Sequence, residues 1–313
     1  MYCHDKRAGN FGDAHKHVAL ISALTAAIAA ADASCRRILY IETHSGSGSY
    51  ECTSTKAEDT GVGRVLSACA DASSHAIQSP EIQAYADTVR RYRGGQGETS
   101  KKRYPGSPVL ALSRLRSNQD EALCAEHQQE VADELSRSIS EYQAKNDVAI
   151  TTSVESGDGY TALHKKLSCL ANNEATGTIP FVLIDPPFTD LQRELDDIPD
   201  AIKDCLSASS EFVVLLWYPI KQGCDNVLRS WKEDLASAVR GKERHLDFSE
   251  IWTGRRRGEA IKSKVSPTLV GSGIAIIHRL NNMNHALRSW TRELYGILSA
   301  DTECGGSWSV TEC

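Results

Sequence analysis

Apolar residues along the chain gather into two kinds of segment. Short, almost wholly apolar runs occur at 36–42 (RRILYIE), 179–185 (IPFVLID) and 211–219 (EFVVLLWYP). Longer stretches between them place apolar residues at helical spacing. The short runs read as strands covered on both faces, and the longer stretches as helices. Two further strands are expected at 122–127 (ALCAEH) and 148–156 (VAITTSVES), and two more near 245–252 and 269–278. Helices are expected from Asp13, as N-cap, to about Ala31, over 128–144, from Thr161, and over 190–208, 221–239 and 284–298. YPGSP at 104–108 reads as a turn, with Pro108 at the first position of a helix running to Arg116. Residues 52–103 differ in character. They are polar and rich in Ala and Ser, with helical spacing around Val65, Leu66, Ile82, Tyr85 and Val89.

Strands alternating with helices predict a doubly wound, mainly parallel α/β sheet with helices on both faces. The expected organisation is one such domain from 1–51 and 104–313, with 52–103 as an inserted helical subdomain. In these sheets a ligand sits at the carboxyl ends of the strands, where the strand order reverses. The strand tips therefore carry the candidate chemistry.

The first tip offers Glu42, His44, Gly46 and Gly48, the glycines allowing close backbone approach to a ligand. A nucleoside-binding fold wants an acid for the ribose hydroxyls at the second tip, roughly 20 residues later. No strand ends on an acid there. Glu126 is the first good candidate, and its excess distance matches the helical insertion. The third tip is Asp158–Gly159, a turn signal that also suits a base edge.

The fourth tip is LIDPPFTD, 183–190. Proline gives no donor to a sheet ladder and restricts the residue before it, so the strand must stop. It stops with Asp185 as an acceptor, the Pro186 carbonyl as a second acceptor, and Phe188 as a flat apolar face. That set matches an exocyclic amine on a stacked ring. An amine held by two acceptors keeps its lone pair free to attack an electrophilic methyl, so positioning supplies most of the rate. S-adenosylmethionine is the expected methyl donor.

Composition adds limits. The charged fraction is 24% and the hydrophobic fraction 41%, as in an ordinary globular chain. A net charge of −6 argues against a protein that coats nucleic acid over its whole surface. Local basic stretches remain: 90–103 has six Lys/Arg against one Glu, and 254–264 has five against one. None of the ten cysteines forms a C-x-x-C pair, so no metal site is expected. The apolar segment 18–33 reads as a soluble helix rather than a membrane span or secretory signal. Reduced thiols in an intracellular compartment follow, cytoplasmic by default with an organelle left open.

Six blocks, in order, carry a resemblance: RAGNFGDAHKH (7–17), YIETHSGSGSYE (40–51), YPGSP (104–108), DGYTAL (158–163), IDPPF (184–188) and LWYP (216–219). Together they resemble the large-subunit ribosomal RNA adenine-N6 methyltransferase J family. The likeness runs from Tyr2 to SWSV at 307–310. It implies a Rossmann-like, class I methyltransferase fold that acts on RNA and is expected as a monomer. By resemblance, Asp185 is the catalytic aspartate, and His17, His44, Ser107, Glu126, Asp158 and Gly159 contact S-adenosylmethionine. Tyr2 and His4 would close over the target adenosine, and Lys16 would position a group or contact phosphate. Phe188 departs from the commoner tyrosine, keeping the stack but losing a hydroxyl. Four other readings compete. DNA adenine methylation lacks a base-reading module here, and protein glutamine methylation usually has Asn before the prolines. A noncatalytic RNA-binding relative would not need Asp185, Glu126 and His44, and a dehydrogenase would leave the D-P-P-F stretch without a purpose.

Overall fold

A computed structural model describes residues 8–51, 59–70, 77–94, 103–172, 177–209, 211–241, 244–252, 269–280, 283–299 and 306–312. Tyr2, His4, Lys101, Lys102 and the basic stretch 254–264 lie outside these described residues.

The strands are β1 (Arg37–Glu42), β2 (Ser49–Glu51), β3 (Arg103–Pro105), β4 (Glu121–Glu126), β5 (Thr151–Ser156), β6 (Thr178–Ile184), β7 (Val213–Lys221), β8 (His245–Trp252), β9 (Leu269–His278) and β10 (Ser307–Glu312). The helices are α1 (Phe11–Ala33), α2 (Val62–Ala68), α3 (Pro80–Gly94), α4 (Ser107–Leu112), α5 (Gln129–Asn146), α6 (Gly159–Asn172), α7 (Leu191–Ala208), α8 (Asp225–Val239) and α9 (Met283–Ser299).

Eight strands form one sheet in the order β10-β8-β9-β7-β6-β1-β4-β5. The run from β5 to β7 is parallel. β9 enters antiparallel between β7 and β8, and β10 closes the edge antiparallel to β8. The expected doubly wound sheet is therefore present. Its order reverses between β1 and β6, which places Glu42 beside the strand that leads into Asp185.

Side chains alternate across the sheet, as strand geometry requires. Ile38 and Tyr40 join one core cluster with α1, while Leu39 and Ile41 join the other with α7 and α8. Among its described residues, the segment 52–103 shows no core of its own. Val62, Val65, Ile82, Tyr85 and Val89 belong to the same cluster as α1. Its ends are brought side by side by the β2–β3 pairing, Glu51 opposite Arg103.

α1 is long and apolar enough to cross a membrane, but most of it is buried inside the fold. His15 on it lies between Ser272 Oγ (3.0 Å) and Ser249 Oγ (2.9 Å), tying the helix to β9 and β8. Burial pushes that imidazole down to about 3, with the bond to Ser272 opposing, so it is neutral in the fold.

Several boundaries differ from the expectation, each for a local reason. Asn10, not Asp13, caps α1, accepting from the amides of Gly12 and Asp13. Asp13 is committed elsewhere, to the Gly9 amide and to Lys16. α4 begins at Ser107 and ends at Leu112 rather than Arg116: the Arg114 amide turns to the Ala111 carbonyl, three residues back, and the Arg116 amide donates to Asp120 Oδ2. β5 is shorter than 148–156 and half exposed, since it is the sheet's edge. β10 was not expected as a strand; its polar alternation carries little apolar signal.

Candidate active site

Four parallel strands deliver acids to one edge of the sheet. Glu42 ends β1, Glu126 ends β4, Asp158 follows β5 and Asp185 follows β6. Register keeps neighbouring tips level, with Glu42 opposite Leu183 and Cys124.

Glu42 is fully buried and accepts from Ser107 Oγ at 2.5 Å and from Tyr40 Oη at 2.7 Å. Burial pushes its carboxyl up to about 7, although both hydroxyl bonds and Lys16 pull the other way. The sequence placed Ser107 at the site but gave no sign that its hydroxyl is aimed at Glu42.

The glycine turn after β1 requires glycine at its tightest point. Gly46 has φ +59, and a β-carbon there would stand 2.1 Å from the Tyr50 hydroxyl. Gly48 is also left-handed, at φ +73. The Gly46 amide donates to Glu126 Oε2 at 3.0 Å, and Glu126 Oε1 accepts from the Gln128 amide at 3.0 Å. Glu126 thus braces two backbone turns. Asp158 accepts from the Thr161 amide and hydroxyl at 2.7 and 2.6 Å, which hold its carboxyl below the ordinary range. Gly159 packs against the first tip, where a β-carbon would meet the Thr43 carbonyl at 1.8 Å. His44 stands edge-on to Tyr160, with centroids 5.4 Å apart. Burial lowers its imidazole, with Asp185, Glu126 and Asp158 opposing.

Asp185 and Lys16 form the central ion pair. Lys16 Nζ donates to Asp185 Oδ2 at 2.5 Å and lies 3.2 Å from Asp13 Oδ1. Burial alone would lower the ammonium, but the two carboxylates outweigh it and hold the lysine well above its ordinary range. The sequence offered phosphate contact as one role for Lys16; the structure instead gives it two carboxylate partners. Its signal was the spacing of Asp13 and Lys16, three apart on one helix.

Phe188 follows at φ +48. Its ring is 3% exposed and lies edge-to-face on Trp217, centroids 5.7 Å apart. His17 is buried, with Nδ1 2.6 Å from the Tyr104 hydroxyl and its ring stacked on Tyr104. Sequence reasoning also missed Tyr160, whose buried hydroxyl has no hydrogen-bond partner among the described residues.

These residues fit a nucleoside carrying a positive sulfonium. The tips carry carboxylates that could accept from hydroxyls and an ammonium, and the Tyr160 hydroxyl has no partner among the described residues beside the Asp158–Gly159 tip. Fold and site together define an S-adenosylmethionine-dependent methyltransferase. Residues 36–242 match the family model described as Ribosomal RNA large subunit methyltransferase D, RlmJ. The chain belongs to the RlmJ family. It is 30% identical to Ribosomal RNA large subunit methyltransferase J of Escherichia coli K12 over 70% of each chain. It is 28% identical to the Haemophilus influenzae protein of that name, over 99% of this chain and 97% of that one. The crystal structure of protein LPL1258 from Legionella pneumophila shares the fold, with TM-score 0.69 and 21% identity over 97% of both chains.

Proposed function

We propose that this protein methylates N6 of an adenine in large-subunit ribosomal RNA. The observation that carries the reading is Asp185, set by two prolines at the tip of β6 and ion-paired with buried Lys16, beside β1, which leads into the glycine turn. When bound, S-adenosylmethionine would supply a methyl on a positive sulphur, which the N6 lone pair would take as the C–S electrons return to sulphur. Asp185 Oδ2 is taken by Lys16, so the amine would meet Oδ1 while the Pro186 carbonyl accepts its second hydrogen. Asp185, held in place by Lys16, stabilises the developing cationic nitrogen and then receives its proton, directly or through water. Phe188 would stack on the base. Its ring now rests on Trp217, so stacking requires the side chain to turn out of that contact.

The cofactor is assigned to His17, His44, Gly46, Gly48, Ser107, Glu126, Asp158 and Gly159. Tyr2 and His4 would cover the adenosine, which must leave its stack to reach the crevice. RNA would run over the insertion, whose helix α3 carries Arg90, Arg91 and Arg93, and over the basic stretch 254–264. The acidic net charge favours naked or partly assembled RNA held by these patches. A monomer in an intracellular compartment, the cytoplasm by default with an organelle left open, completes the reading.

The test is incubation of unmodified total RNA with labelled S-adenosylmethionine, followed by nucleoside analysis. Label is expected in N6-methyladenosine; label in any other nucleoside overturns the assignment. Asp185→Ala should abolish transfer while cofactor binding persists, and retained turnover would remove Asp185 from the mechanism.

A further inference from the structure

The turn that carries Asp185 is itself held from outside. Phe188 sits in the left-handed region at φ +48, which is unfavourable for a residue with a β-carbon unless its surroundings over-determine it. Those surroundings are two charged side chains. The Phe188 carbonyl accepts from Lys221 Nζ at 2.8 Å, at the last position of β7. The next amide, on Thr189, donates to Glu194 Oε1 at 3.1 Å, and the Thr189 hydroxyl donates to the same oxygen at 3.0 Å. Glu194 lies in the first turn of α7, whose N-cap is Asp190. The carbonyl of 188 and the amide of 189 belong to one trans peptide and point in opposite directions. A cation and an anion therefore grip a single peptide plane from its two sides.

We propose that Lys221 and Glu194 are positioning residues that lock the 188–189 peptide and, through it, the Asp-Pro-Pro-Phe turn. This rests on the methyl-transfer reading and adds to it. Prolines stiffen the turn on one side of Phe188; nothing in the covalent chain stiffens the other side, and the clamp does so. With the peptide held, Phe188 can exchange Trp217 for a base only by side-chain rotation. Asp185 and the Pro186 carbonyl then stay where the amine must be received. Lys221 by itself could equally serve an RNA phosphate. Glu194 is an anion and cannot, so the pair separates the two roles.

The test compares Lys221→Met, Glu194→Ala and their double variant in the full chain, by single-turnover methylation at saturating RNA and cofactor. Each single variant should slow the step by about 10–100-fold, the size of effect expected from a misplaced reacting group. KM for RNA and affinity for S-adenosylhomocysteine should not move. The double variant should be no slower than the slower single, since both bonds hold one peptide. Lys221→Arg should recover most of the rate. Hydrogen exchange at the Thr189 amide should quicken in Glu194→Ala, a readout that needs no turnover. If Glu194→Ala does not fold, Glu194→Gln keeps an acceptor oxygen but loses the charge, and should show a smaller loss in the same direction. Wild-type rates in either single variant, multiplicative losses in the double, or a raised KM at unchanged rate in Lys221→Met would each overturn the clamp. If wild-type protein gives no N6-methyladenosine, the underlying reading fails instead, which the same assay distinguishes.

Discussion

Glu42 is a buried acid whose titration couples stability to pH. Its carboxyl is pushed up to about 7, chiefly by burial, from an ordinary 4.5. Between those values the folded chain holds a proton that the unfolded chain has released. The contribution of Glu42 to stability is therefore fully present below pH 4.5 and is lost as pH rises to about 7, by about 3 kcal/mol for a shift of that size, while His15, pushed the other way, gains stability as pH rises toward 6.5. Glu42→Gln stays neutral and should lack this loss. Thermal melts of both proteins across that window should diverge, with wild type losing ground as pH rises; parallel curves would show that Glu42 is ionised throughout. At this scale the sequence was legible where chain geometry announced chemistry. Two prolines and an aspartate after an apolar run pointed to Asp185 without any fold. Lys16 could not be read so, because its partner is 169 positions away and only the packing of α1 over β6 joins them.

Among elements, α1 carries the largest structural duty. It places Lys16 and His17 and buries Val18, Leu20, Ile21 and Leu24 fully or nearly so. Its N-terminus depends on Asn10, whose Oδ1 accepts two amides at 2.7 and 3.1 Å. Asn10→Ala should cost about 1 kcal/mol. Leu24→Ala, which leaves a hole in the core, should cost about 2–5 kcal/mol. Urea unfolding measures both, and a larger loss from Asn10→Ala than from Leu24→Ala would mean that the cap, not the packing, secures the helix. The strands and helices were readable because both-face burial leaves apolar runs and one-face burial leaves helical spacing. Edges were read less well: β10 was not expected as a strand, and β5 was expected longer than it is. β5 and β10 have one neighbour each, so neither needs the uniform apolar pattern that marks an inner strand.

For the whole molecule, charge and shape must be reconciled with an RNA substrate. α3 presents Arg90, Arg91 and Arg93 while its apolar side joins the core of α1. Arg90 also donates to the Leu66 carbonyl, bracing α2. Replacing Arg90, Arg91, Lys101 and Lys102 with glutamine should weaken RNA binding and flatten its salt dependence. The log–log slope should fall by about 0.7–0.9 for each phosphate that is no longer neutralised. Binding titrations at several salt concentrations measure this. An unchanged slope would move the RNA face elsewhere.

By itself the sequence determined the alternation of strands and helices, the glycine turn, and the acids at the strand tips, because these are properties of neighbouring residues along the chain. Six ordered blocks were enough to suggest the family. The tertiary structure decided which of those residues act on one another. It set Ser107 on Glu42, Glu126 under the Gly46 turn, and Lys16 on Asp185. It also turned an ordinary lysine and glutamate, 27 positions apart in number (221 less 194), into the two grips on the turn that follows Asp185. Those pairings depend on strand order and on the register of the sheet, and no local pattern encodes either.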